Sequence, residues 1–225
     1  MATTRRGAKY SVIAFDLDGT LLRGLEFSWK EVWRHLGYPD DVRRDGMRRY
    51  LSGKMPYKEW CDWACQQYRA KGLRQSDFKA ITAAIAVTQK LNETLTILRN
   101  DGFVLAIISG GIDTFLEATI PDARSLFHYI CINQFIYDAD GLIQRIEATP
   151  FDFEGKSSAL ELICKEHGVT LAHSVFVGEG FNDSDAARVA GLSIAYPPRA
   201  QEIVQASRVE LPDDDLSRII PHVLD

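Results

Sequence analysis

The stretch FDLDGT places two carboxylates, Asp16 and Asp18, one residue apart at the end of an apolar run. Carboxylates that close repel each other, and burying both without a cation is costly. A divalent metal between them would compensate, and oxygen donors favour magnesium; an Asp-Gly turn explains the same residues without chemistry. In IISGG, Ser109 is followed by Gly110 and Gly111, a hydroxyl beside exposed backbone N–H groups that suits phosphate oxygens and is equally ordinary loop material. Lys156 opens a predicted helix in GKSSAL, where a cation opposes the helix dipole. Nearby carboxylates or an anionic ligand would account for it, as would plain solvation. A last cluster, VGEGFNDSDAA, carries Glu179, Asn182, Asp183 and Asp185.

These residues need elements to hold them. YSVIAFDLDG, FVLAIISGG and SVFVGEG are continuous apolar runs that end abruptly in small or acidic residues, as strands buried on both faces do. LSIAYPP reads as a weaker, later strand. Helices fall between them: one with Asn92 as N-cap and Gly102 past its end, one over GKSSALELICKEHG, and a short one from Ser184. Such alternation predicts a doubly wound α/β domain with a parallel, Rossmann-like sheet and its site at the carboxyl ends of the strands. The acidic pair, the Ser-Gly-Gly nest and the acidic cluster then converge on one edge.

Residues 22–90 break the alternation. SWKEVWRHLG puts Trp29, Val32, Trp33 and Leu36 on one stripe with Ser28 placed to cap it, and PYKEWCDWACQQYRAKG and SDFKAITAAIAVTQ also look helical. An insertion of about 65–70 residues is too long for a crossover helix. It reads as a helical cap domain over 22–90, with the core formed by 1–21 and 91–225. Asp140-Gly141 between apolar flanks predicts a hairpin.

Composition narrows the class. A chain of 225 residues that is 46% hydrophobic and 25% charged can bury a sizeable core. A net charge of −5 argues against general binding of nucleic acid or anionic membranes. The four cysteines show no CxxC pair or zinc spacing and read as buried thiols. MATTRRGAKY lacks the apolar run of a signal peptide, and no segment is long enough to span a bilayer, so cytoplasm is the expected compartment.

Taken together, FDLDGTL, ISGG, GKSSAL and VGEGFNDSDAA resemble the haloacid dehalogenase superfamily of hydrolases, in its phosphoserine phosphatase-like branch. The resemblance spans most of the core, and the helical insertion matches that branch's cap position. It implies that Asp16 is a nucleophile forming an aspartyl-phosphate and that Asp18 is general acid, then base. It implies that Ser109 and the Gly110 amide bind the phosphoryl group, with Thr20 orienting the loop, Asn182 among the phosphate-binding residues and Lys156 neutralising charge. Mg2+ would sit on Asp16, the Asp18 backbone carbonyl and Glu179, with Asp183 close by. Dehalogenases of this fold have no acid two residues after the nucleophile, so Asp18 favours phosphate transfer over carbon–halogen cleavage. The implied activity is hydrolysis of a small phosphorylated metabolite by a monomer or homodimer. Transfer to an acceptor other than water, or a scaffold with an impaired metal site, are the alternatives.

Two departures stand out. Glu179 occupies a position where the branch usually has aspartate, displacing the carboxylate by about 1.5 Å. Phosphoserine phosphatases resembling this chain carry a glutamate and a cap arginine for the amino acid. Here Leu25 falls at the glutamate position with Glu26 next to it, and Asp62 and Ala64 fall where the arginine would be. Phosphoserine is therefore not the expected substrate. Tyr57, Trp60 and Trp63 either pack the cap internally or offer the pocket an aromatic surface, and Arg43, Arg44, Arg48 and Arg49 read as a solvated helix face paired with Asp40, Asp41 and Asp45.

Overall fold

The computed structural model describes residues 8–151 and 155–224; Arg5 and Arg6, expected in a solvated tail, lie outside them. Among the described residues nine strands run β1 Val12–Phe15, β2 Leu22–Arg23, β3 Ala86–Val87, β4 Val104–Ile112, β5 Tyr129–Tyr137, β6 Ile143–Glu147, β7 Ser174–Gly178, β8 Leu192–Ala195 and β9 Val209–Glu210. Seven form one sheet in the order β6-β5-β4-β1-β7-β8-β9, parallel except for the β5–β6 hairpin. The expected doubly wound sheet is thus the observed one.

Strands β1, β4, β7 and β8 are buried along their whole length because both faces are covered. Ile13, Phe15, Leu105, Ile107, Val175 and Val177 enter one core, while Val12, Ala14, Val104, Ala106 and Phe176 enter the other. That two-residue period makes each run continuously apolar. Phe15, the last residue of β1, lies opposite both Ile107 and Val177, and β4 runs on past it to Ile112.

The helices are α1 Ser28–His35, α2 Asp40–Leu51, α3 Tyr57–Ala70, α4 Phe78–Ile81, α5 Leu91–Asn100, α6 Asp113–Thr119, α7 Ala123–Leu126, α8 Lys156–Glu166 and α9 Ser184–Val189, with two short ones after β8. Helices α1 to α4 form the insert. It is not wholly helical: its ends pair as β2 and β3, antiparallel, with Leu22 opposite Val87. SDFKAITAAIAVTQ is helical only over a short 3-10 turn and α4, because its end supplies β3. Arg23 Nε and Thr88 Oγ1 both donate to Asp214 Oδ1, at 2.8 and 2.7 Å, and tie this ribbon to the core. On the far side the β5–β6 hairpin reaches the insert, where Ile143 N donates to Leu73 O at 3.0 Å.

Two expected caps are corrected. Helix α1 begins with Phe27 at the N-cap position, and Ser28 lies inside the first turn. Helix α5 begins after Lys90, in the left-handed region at φ 56, and Asn92 lies within the helix. Lys90 is held there by Asp215 Oδ2, 3.1 Å from its Nζ. The four cysteines form no disulfide, and Cys61, Cys65 and Cys164 are buried.

Candidate active site

At the carboxyl ends of β1 and β7 and along the end of β4, polar residues face a cavity of about 460 Å3 that the insert roofs. Asp16, Asp18, Ser109, Gly110, Glu179 and Asn182 all line it. Lys156 lies beneath, fully buried, with Nζ 2.6 Å from Asp16 Oδ1 and 2.6 Å from Asp183 Oδ1. A lysine at the first turn of a helix, without water, is tolerable only because two carboxylates receive it.

Asp183 shapes the third loop. Its Oδ2 accepts the backbone N–H of Glu179 at 2.8 Å and of Gly180 at 2.9 Å. Gly178 is required by that approach, since a Cβ there would meet the Asp183 carboxylate at 2.6 Å. With Oδ1 on Lys156, both Asp183 oxygens have protein partners. Asp185 is spent on structure as well, its Oδ2 accepting the N–H groups of Gly155 and Ser157 at 3.1 Å.

The β4 edge carries the Ser-Gly-Gly stretch inside the strand. The strand matches the expected run FVLAIISGG to within a residue and ends at Ile112, with its register against β5 shifted between Ile108 and Ile112. Once β1 has ended, Ser109 to Gly111 have no strand on that side and open onto the cavity. Gly110 O accepts Trp29 Nε1 at 2.8 Å and Asn133 Nδ2 at 2.8 Å, and Asn133 Nδ2 also reaches Gly111 O at 3.1 Å. A Cβ on Gly111 would lie 3.2 Å from both Asp18 Oδ1 and Ser109 Oγ, so the glycine keeps the space between them clear.

Asp18 Oδ2 accepts Ser28 N at 2.6 Å, while its Oδ1 is buried without a hydrogen-bond partner. Thr20 is fully buried, its hydroxyl also without a partner, and it is not among the residues lining the cavity. The residues that sequence reasoning missed act across space: Asn133 and Trp29 brace the glycine loop, Gly111 leaves it room, and Arg199 faces Glu179. Arg199 Nε is 3.8 Å from Glu179 Oε2, and its Nη1 donates to Leu25 O at 2.8 Å. Gly111 and Trp29 stand out in the sequence only as part of a glycine pair and of an apolar stripe, and Asn133 and Arg199 sit in no local pattern.

Negative charge is in surplus. Burial pushes the Asp16 carboxyl up, Lys156 pulls it back, and the Asp183 and Asp18 charges raise it again. Burial lowers the Lys156 ammonium, but Asp16 and Asp183 override this and hold it above its ordinary range, so it stays a cation. Glu179 is pushed up to about 8 by burial, reinforced by the Asp16 and Asp183 charges. Burial also raises Asp18, against the pull of the Ser28 N–H.

Among the described residues, no three His, Cys, Asp or Glu side chains gather as a ready-made metal-binding set. Asp16 and Glu179 nonetheless fit a hard divalent cation by chemistry. Magnesium commonly takes only one or two protein carboxylates, with phosphate and water completing its shell.

A model of the haloacid dehalogenase-like hydrolase family matches residues 10–191. The chain is 28% identical over 191 residues to a phosphoserine phosphatase of Methanocaldococcus jannaschii, covering 84% of this chain and 86% of the relative. It is 33% identical over 203 residues to phosphoserine phosphatase SerB2 of Mycobacterium tuberculosis, covering 87% of this chain but only 47% of that longer protein. The fold matches a solved phosphoserine phosphatase, an analogue of its phospho-aspartyl intermediate, with TM-score 0.74 and 25% identity over 96% of this chain and 99% of that one. The chain therefore belongs to the haloacid dehalogenase-like hydrolases, on their phosphoserine phosphatase-like branch.

Proposed function

We propose that this protein is a Mg2+-dependent phosphomonoesterase acting through phospho-Asp16, with the insert over 22–90 as a cap on the core of 1–21 and 91–225. The observation that carries the reading is the meeting of Asp16, Asp18 with its unpartnered Oδ1, and Ser109 on one cavity, with the buried Lys156 ammonium 2.6 Å from Asp16. A phosphoryl group there meets the nucleophile, a hydroxyl donor and an acid together.

Asp16 attacks phosphorus, forming the acyl-phosphate bond as the ester P–O bond breaks. Asp18, its carboxyl raised by burial, protonates the departing oxygen through Oδ1 while Ser28 N fixes Oδ2. Water, activated by the resulting Asp18 carboxylate, then attacks phospho-Asp16 and releases phosphate. Ser109, the Gly110 amide and Asn182 hold the phosphoryl oxygens. Lys156 offsets charge on Asp16, and Asp183 holds Lys156 in place. Thr20 packs the nucleophile loop. Asp16, the Asp18 backbone carbonyl and Glu179 would hold Mg2+, with Asp183 as support. The ion supplies the positive charge that lets an anionic nucleophile approach an anionic phosphate.

The relatives are phosphoserine phosphatases by name; for this chain we assign a different small phosphomonoester, since Leu25 falls at the position of the amino-acid-binding glutamate, with Glu26 one place on, and Asp62 and Ala64 fall where the cap arginine would be. No helix of the described residues is long and apolar enough to cross a membrane, and we place the activity in the cytoplasm, in a monomer or homodimer. The test is hydrolysis of a generic aryl phosphate: turnover with Mg2+, none with EDTA, none in Asp16→Asn. An absence of Mg2+-dependent turnover over a broad phosphate panel sinks the reading and favours a scaffold. Added alcohols that divert phosphate from water would instead reveal transfer to another acceptor.

A further inference from the structure

The cap's half of the cavity bears on the leaving group. Five large apolar side chains are exposed among the described residues, and two of them, Leu51 at 60% and Phe181 at 55%, line this one cavity. Leu51 comes from the cap and Phe181 from the core, so apolar surface is offered from both sides. Met47 and Trp60 continue it inward. The arrangement depends on Gly46: a Cβ there would meet the Trp63 ring at 2.2 Å, so α2 lies flat on Trp63 and turns Arg43, Met47 and Leu51 toward the cavity. The indole N–H of Trp60, 1% exposed, has no hydrogen-bond partner.

The charged groups of that half are already matched. Glu26 is ion-paired with Lys30. Arg43 donates from Nε and Nη2 to Asp40 Oδ1, at 2.9 and 2.7 Å, and lies 5.4 Å from the Phe27 ring centre. Arg199 is held by Leu25 O and faces Glu179. A zwitterionic leaving group would have to break these pairs, whereas an apolar one covers exposed hydrocarbon.

We propose that the substrate is the phosphate monoester of an uncharged, flat apolar alcohol, with its ring or chain seated against Trp60, Met47, Leu51 and Phe181. This rests on the phosphatase reading. The alcohol's body buries against these side chains while its ester oxygen lies beside Asp18, and the cavity has the volume of a small-molecule site.

The test compares 2-phenylethyl phosphate with O-phosphoserine, two alkyl esters whose leaving groups both need a proton. The expected ratio of kcat/KM favours the phenylethyl ester by on the order of tenfold or more, mainly through KM. In the Leu51→Ser/Phe181→Ser double variant, both sites being exposed, the ratio falls toward one. Equal or better turnover of phosphoserine, or a ratio untouched by the substitutions, overturns the proposal. Calorimetry with the non-hydrolysable 3-phenylpropylphosphonate and Mg2+ separates the two readings. Binding of this compound without turnover of any ester overturns the phosphatase reading and leaves the apolar site standing. Loss of both overturns both.

Discussion

The Glu179 side chain lies directly over Gly19: a Cβ on Gly19 would come 2.7 Å from Glu179 Oε1. The glycine, at φ +81, provides the room that the longer acid takes up. Two consequences can be measured. Gly19→Ala both strains the backbone and pushes Glu179 aside, and a displacement near 1 Å lowers kcat by on the order of a hundredfold. Glu179→Asp withdraws the carboxylate by about 1.5 Å and weakens Mg2+ binding, seen as a higher Mg2+ concentration for half-maximal turnover. An unchanged Mg2+ requirement in Glu179→Asp would remove Glu179 from the metal site.

Lys156→Met leaves Asp16 and Asp183 facing each other without their shared cation. Removing one partner of a buried pair costs about 3–5 kcal/mol, to be read from denaturant midpoints. Phosphatase activity disappears with it. Lys156→Arg does not restore activity, because a fully buried, two-carboxylate slot has no room for a guanidinium.

Asp18→Asn removes the proton donor while keeping the Ser28 contact available to Oδ. Turnover of alkyl phosphates falls by about 10²–10⁴. The loss is smaller for 4-nitrophenyl phosphate, whose leaving group needs little protonation. Equal losses for both ester types would show that Asp18 serves another role.

Asp214→Ala frees Arg23 and Thr88 together, so β2 and β3 lose their common anchor on the core. Two hydrogen bonds to a part-exposed carboxylate predict a loss of about 1–2 kcal/mol, with kcat and KM changing together as the cap's seating loosens. Thermal melts and steady-state kinetics on the same variant check this.

His128 gives the fold an acid-side slope. Its Nδ1 accepts Leu105 N at 3.0 Å, and burial, with Arg99 and His167 nearby, lowers its pKa from 6.5. The folded state therefore binds fewer protons than the unfolded one just below pH 6.5, and stability is lost as pH falls through that window. His128→Gln flattens the Tm decline between pH 6.5 and 5, measured in the presence of Mg2+ throughout.

The core was legible because its sheet is buried on both faces: an apolar run that stops at Asp16 or Glu179 marks a strand end at the site. The run FVLAIISGG matched β4 within a residue, though local pattern could not show that β4 keeps pairing with β5 after β1 has ended. Ser28 looked like a cap because capping is a local pattern. Its backbone N–H instead serves Asp18, ten residues back, and no local rule reports that. Strands of two residues, such as β2 and β3, are too short to show alternation. Asn133, Arg199 and Gly111 gain their meaning from partners that only the fold brings near.

The insert departs from the core and returns to it at one point, Leu22 facing Val87. A segment attached in this way can be exchanged as a cassette without re-threading the sheet. Any replacement must resupply the N–H that Ser28 gives Asp18 and the indole that Trp29 gives Gly110 O.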